Sequence, residues 1–333
     1  MMSVRTLCVA LFVAVLACLL RVGPGEAQQA SKLKMGYSVI SGTTLPLWLG
    51  KDSGLFEKYG LDVELIYLGG ATKAVTAVIS GDTPITQSAG TGSILARLSG
   101  SDTMIFATLV NVISVSLMVH PGIHEPKDLQ GKILGVTRYG SLTDFGTRSQ
   151  LQAWGMDPNR DVKIIQMGGV PESLAALRNG AIQGTALTAP DLSVAKKLGF
   201  VELADLSKLK YRYPSTNYIA RESYMRSHEE VIRRFLRAVV DSIHRVKTQK
   251  DYSLRVLKKY TRMDDPEVLT DTYDVYAKRY FQFPPIPGVD EVKAVLDQEA
   301  AKNPKAREAD PREFINPTYV NELVESGFIK NLQ

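Results

Sequence analysis

Cysteine is nearly absent: the 333-residue sequence holds two, Cys8 and Cys18, both within the first twenty positions. Beyond them the chain can build no disulfide, no Cys-ligated zinc site and no thiol nucleophile. Histidine is scarce as well, with His120, His124, His228 and His244 only. The one close pair, His120 and His124, straddles Pro121, which argues against a helix that would put both rings on one face, so no metal site is expected. The excess of positive charge is thin, 40 Lys and Arg against 35 Asp and Glu with no basic run. That is not the footprint of a nucleic-acid-binding protein. No G-x-G-x-x-G or Walker lysine accompanies the glycine pairs, and no Ser-His-Asp order or acidic pair stands out. No catalytic residue and no cofactor are therefore assigned.

Against these absences stands the composition of a folded globular protein, 44% hydrophobic and 23% charged. The one long apolar run, Leu7 to Leu20, follows Arg5 and ends at Arg21. Its length falls within the ~7–15 residues of a signal-peptide core and short of the ~20 that a helix needs to cross a bilayer. Residues 1–27 read as a secretory signal peptide cleaved after Ala27, with lipoprotein processing at Cys18 as the alternative. Either way the mature chain is exported.

From Leu33 onward one pattern occurs twice, 99 residues apart. Val63-Glu64-Leu65-Ile66-Tyr67-Leu68-Gly69-Gly70 aligns with Val162-Lys163-Ile164-Ile165-Gln166-Met167-Gly168-Gly169, Gly36 with Gly135 and Gly81 with Gly180. Any two βαβ units share apolar strands and glycine turns, but a common spacing across three glycine sites points to duplication. Each copy reads strand, helix, strand, helix, strand, which predicts two α/β lobes with mostly parallel sheets. Ile113–His120 and Thr216–Ala220 read as two strands crossing between lobes, which predicts a hinge. The resulting division is 28–114 for lobe one, 115–217 for lobe two and 218–333 for the return to lobe one. The last part is helical; Ser227 with Glu230 reads as a capping box ahead of an amphipathic helix.

Gly54-Leu55-Phe56-Glu57-Lys58-Tyr59-Gly60-Leu61-Asp62-Val63-Glu64-Leu65, Gly81-Asp82 and Asp128-Leu129-Gln130-Gly131-Lys132-Ile133-Leu134-Gly135-Val136 resemble segments of the solute-binding proteins of ABC importers. The resemblance is to the branch serving sulfonates, taurine, nitrate and thiamine pyrimidine precursors, and runs from Leu33 to about Lys250. It implies a type II periplasmic-binding-protein fold: two mixed, mostly parallel sheets with flanking helices, two crossing strands and a helical C-terminal tail. It also implies a periplasmic monomer that delivers a small solute to a membrane permease.

In open α/β sheets ligands lie beyond the carboxyl ends of the strands. The loops there supply Ser41, Gly42, Thr43, Thr44, Gln87, Ser88, Ala89 and Gly90 from lobe one. Lobe two supplies Arg138, Tyr139, Gly140, Ser141, Thr143, Asp144, Thr188 and Asp191. Trp48 is a candidate apolar wall, and Asn111 and Asn217, beside the crossings, complete the set. Several carry an ordinary structural reading too: Ser141 and Asp144 as a helix cap, Trp48 as core, the glycine pairs as tight turns. Arg138, just after an apolar strand and before a helix N-terminus, is expected to select an anionic carboxylate or sulfonate. Two alternatives remain open. Pyrimidine synthases of this fold are intracellular enzymes with a cysteine-rich motif, which the mature chain lacks, and a sensory protein of this fold docks on a receptor instead of a permease.

Overall fold

The computed structural model describes residues 30–210 and 212–332; the signal-peptide region and Cys18 lie outside the described residues. Among the described residues ten strands run in chain order: β1 Ser31–Tyr37, β2 Leu61–Tyr67, β3 Ile85–Ser88, β4 Thr103–Val110, β5 Ser116–Val119, β6 Ile133–Val136, β7 Lys163–Gln166, β8 Gly184–Leu187, β9 Val201–Asp205 and β10 Thr216–Arg221. They form two five-stranded sheets, ordered β2-β1-β3-β10-β4 and β7-β6-β8-β5-β9. In each, the fourth strand is antiparallel to its neighbours, and it comes from the far side of a crossing.

The repeat seen in the sequence reappears as register. Gly36 pairs with Ile66 and Thr86, and Gly135 with Ile165 and Thr185, each partner displaced by the same 99 positions. A Cβ on Gly36 would lie 2.7 Å from the Leu68 and Thr86 side chains; one on Gly135 would lie 2.5 Å from Ile182 and 3.0 Å from Met167. Close packing of side chains from the neighbouring strand and the loops beside it, not a turn, excludes a side chain at these two positions. Gly81 and Gly180, by contrast, end helices with φ of +84° and +72°.

The chain leaves the first sheet after Val110 and enters the second at Ser116; it returns through residues 206–215. Thr216 and Asn217 already pair with Val110 and Thr108, so they belong to the first sheet and not to the 115–217 segment in which the sequence reading put them. The two connections are bonded to each other: Tyr213 N–H to Asn111 O and Ser215 N–H to Val110 O, both 3.0 Å, with Ser114 and Ser215 hydroxyls 3.0 Å apart.

The helices that position the site are α1 Leu45–Asp52, α2 Ala71–Ser80, α3 Gly90–Leu98, α4 Leu142–Ala153, α5 Val170–Arg178 and α6 Asp191–Lys197. C-terminal to β10 come α7 Glu229–Thr248, α8 Lys250–Thr261, α9 Pro266–Tyr273, α10 Val289–Glu299 and α11 Thr318–Glu325, with α9 continuing as a π-helix over Asp274–Tyr280. Helix α7 buries Ile232, Phe235, Leu236, Val239, Val240 and Ile243 and packs on α1. The capping box expected at its start is absent: Ser227 donates to the Ser223 and Tyr224 carbonyls of the preceding turn, and His228 precedes α7 with no side-chain cap. The C-terminal block also reaches the second lobe. Lys197 pairs with Asp265 and Glu267 at 2.6 Å, Arg279 with Asp205 at 3.5 Å, and Gln298 donates to Ser149 at 3.1 Å.

Candidate functional site: the cavity between the lobes

Parallel strands end in loops that face the other lobe, and these loops enclose a cavity of about 60 Å³. One water needs roughly 10–15 Å³ on this measure, so there is room for about four to six water-sized groups. Ser38, Val39, Thr43, Tyr67, Gly70, Ala71, Gln87, Ser88 and Ala89 line it from the first lobe. Thr137, Ser141, Leu142, Thr143, Gly168, Gly169, Val170 and Thr188 line it from the second, and Ser215 and Thr216 from the return crossing. Not one of these side chains is charged.

Four helices begin at the cavity wall: α2, α3, α4 and α5. A helix leaves its first four N–H groups without intrahelical acceptors. Only α4 has a side-chain cap, the Ser141 hydroxyl accepting from Asp144 N–H at 3.4 Å. No side chain caps α2, α3 or α5. The positive ends of these helices therefore meet at one place, with first-turn N–H groups that no side chain caps in α2, α3 and α5, although Gly90 N–H is taken by Pro214 O and Pro171 has none. Beside them Thr137, Ser141 and Thr143 form a ring of hydroxyls 2.9 Å apart.

Three polar atoms of wall residues are buried without a hydrogen-bond partner among the described residues: Gln87 Oε1, Ser88 Oγ and Thr188 Oγ1. Their residues are 2%, 3% and 4% exposed. A buried, unsatisfied group of this kind costs ~1–3 kcal/mol, and the cost is recovered when a bound molecule supplies the partner. Gln87 is held from behind, its Nε2 donating to Thr43 O at 3.0 Å.

Thr43, Gln87, Ser88, Ala89, Ser141, Thr143 and Thr188 thus come together on the wall, while the other residues picked from the sequence lie elsewhere. Arg138 is placed beside the lining: its Nε donates to Gly69 O at 3.2 Å across the lobe boundary. Tyr139 is 49% exposed and turns away, its hydroxyl on Ile164 O. Gly140 donates its N–H to the Asp144 carboxylate, which also pairs with Arg148 at 2.7 Å, so Asp144 secures the start of α4 and does not reach the cavity. Asp191 opens α6, where burial, reinforced by the nearby Glu172 charge, pushes its carboxyl up to about 6, but it does not line the cavity either.

Trp48 is core, stacked on Tyr260 with ring centroids 5.1 Å apart. Ser41 bonds Thr43, Thr44 bonds Val39 O, and Gly42 N–H reaches across to Ala189 O at 3.0 Å, so this loop is braced rather than presented. Gly90 donates to Pro214 O. Asn217 is fully paired with Thr108, Ser88 O and Pro214 O and so supports the Ser88 loop from behind. Asn111 bonds Gln282 and Glu291 at the hinge. Ser38, Val39, Tyr67, Thr137, Val170, Ser215 and Thr216 were missed. Ser38 and Thr137 had a signal: they are the same position of the two copies, 99 residues apart, just past β1 and β6.

The arrangement is that of the type II periplasmic-binding-protein fold, and known structures share it. A protein from Bordetella bronchiseptica RB50 superposes with a TM-score of 0.80 at 22% identity, covering 90% of this chain and 98% of its own. The alkanesulfonate-binding protein SsuA from Xanthomonas axonopodis pv. citri, bound to MOPS, gives 0.72 at 15% identity, covering 89% of this chain and 98% of its own. A Bacillus subtilis (strain 168) protein described as "Putative binding protein YtlA" is 23% identical over 266 residues, 78% of this chain and 79% of that protein. The family model described as NMT1/THI5 like matches residues 42–251, a span that begins in the Gly42 loop and takes in every strand but β1, every helix that starts at the cavity and both connections between the sheets. By that match the chain belongs to the NMT1/THI5-like family.

Proposed function

We propose that this protein is a periplasmic solute-binding protein that closes two lobes over a small organic acid and delivers it to an ABC importer. The observation that carries the reading is the wall itself: hydroxyls and helix N-termini from both lobes, converging on one cavity with three unsatisfied polar atoms. Hydrogen bonds to a charged group contribute ~1.5–3 kcal/mol each, and a partly buried helix N-terminus up to ~2 kcal/mol, so several together can hold a carboxylate or sulfonate without an arginine. The alkanesulfonate-binding neighbour makes sulfonates a natural part of that class. Binding without turnover is favoured because the wall carries hydroxyls but no His, Asp, Glu, Lys or Cys to serve as a base. Export rests on the signal peptide read from residues 1–27. A neutral heterocycle is the second reading, supported by the lack of a charged lining residue and opposed by the small volume.

Native mass spectrometry of protein purified without denaturation should show a small acid travelling with it. Adding that acid at about 100 times its Kd should raise unfolding free energy by ~2.7 kcal/mol. A neutral co-purifying molecule would favour the second reading, and steady conversion of the acid by pure protein would refute a binding-only role.

A further inference from the structure

We infer that Gln87 determines specificity by requiring a hydrogen-bond donor on the ligand, so that the solute is a small acid bearing a hydroxyl or amide N–H and not a bare acid. The inference deepens the proposed function and rests on it. Gln87 is buried, and its Nε2 donates to the Thr43 carbonyl at 3.0 Å. A carbonyl only accepts, so the amide cannot flip without setting two oxygens against each other. Its Oε1 is therefore held away from the Thr43 carbonyl, on a side chain that lines the cavity, and no atom of the described residues pairs with it.

The other groups on the wall are different in kind. Helix N–H groups only donate, and suit the oxygens of an acid. The Ser88 and Thr188 hydroxyls rotate and can donate or accept. Gln87 Oε1 is an obligate acceptor. A solute that fills the cavity and brings a donor to this atom supplies the hydrogen bond it lacks, and one without a donor leaves that cost in place. With no carboxylate on the wall, a neutral donor fits better than an ammonium, whose charge would be uncompensated.

Matched pairs test this by calorimetry at fixed salt: lactate against propionate, glycolate against acetate, and hydroxymethanesulfonate against methanesulfonate. The hydroxylated member of at least one pair should bind at least about tenfold tighter, a difference of 1.4 kcal/mol. Gln87→Met, similar in shape but without the acceptor, should reduce that preference to less than about twofold. Gln87→Leu, which also lacks the acceptor, should do the same and serves if the Met variant fails to fold. Equal binding of both members of every pair overturns the inference and leaves the small-acid reading standing. A tenfold preference that survives in a folded Gln87→Met protein also overturns it, by placing the discrimination elsewhere. Binding of neither member of any pair overturns the small-acid reading, and this inference with it.

Discussion

Arg138 bonds across the lobe boundary, and on the proposed reading it acts on affinity through closure of the lobes. Its hydrogen bond to Gly69 O joins the lobes at the edge of the cavity, and so forms only when they meet. A contact present in the closed form alone shifts the closure equilibrium, and apparent affinity scales with the closed fraction. One such bond contributes ~0.5–1.5 kcal/mol, so Arg138→Ala should weaken binding by about two- to tenfold. The factor should be the same for an anionic and a neutral ligand and little affected by salt. Calorimetry with both kinds of ligand decides: a loss confined to anions would return Arg138 to the binding wall. Gly42, through its N–H on Ala189 O, is a second clasp of the same type on the far side of the loop.

Strands and their spacing were the most legible part of the sequence. The 99-residue repeat anticipated both sheets because Gly36 and Gly135 answer one steric demand in two places, and a demand met by glycine alone leaves a mark in the sequence. Replacing Gly36 by Ala would drive a methyl between Leu68 and the Thr83–Thr86 hydroxyl pair, which are 2.8 Å apart. Overpacking of this sort costs ~1–3 kcal/mol, and urea unfolding should show that loss with an unchanged m-value; full stability would mean the strands can part freely. The cavity wall was less legible. Position past a strand end selects a loop, as it did for Ser88 and Thr188, but the direction of each side chain depends on which of several near or distant partners it takes. Asp144 is turned to Arg148 and Gly140, and Trp48 is held by Tyr260, which lies more than 200 residues further along. Ser227 failed as a cap for a more local reason: its hydroxyl found the carbonyls of the turn behind it first.

At the scale of the molecule, the exchange of strands between sheets governs how the chain can assemble. β4 and β10 are neighbours in the first sheet, yet all of residues 111–215 lie between them. Topologically, the second lobe is a loop of the first. Bringing the ends of a flexible loop of ~100 residues together costs about 4 kcal/mol of chain entropy by the logarithmic law. The cost nearly vanishes once the intervening segment has folded, because its two ends then lie a hydrogen bond apart, at Tyr213–Asn111 and Ser114–Ser215. Every strand of the second sheet comes from one continuous stretch, β5 to β9, so that lobe can form from nearer neighbours and template the closing of the other. In pulsed hydrogen exchange during refolding, amides of β6 and β8 should gain protection before those of β10; protection of β10 first would contradict this order. The hinge that joins the lobes in the finished protein is thus also the point at which the slower lobe waits for the faster one.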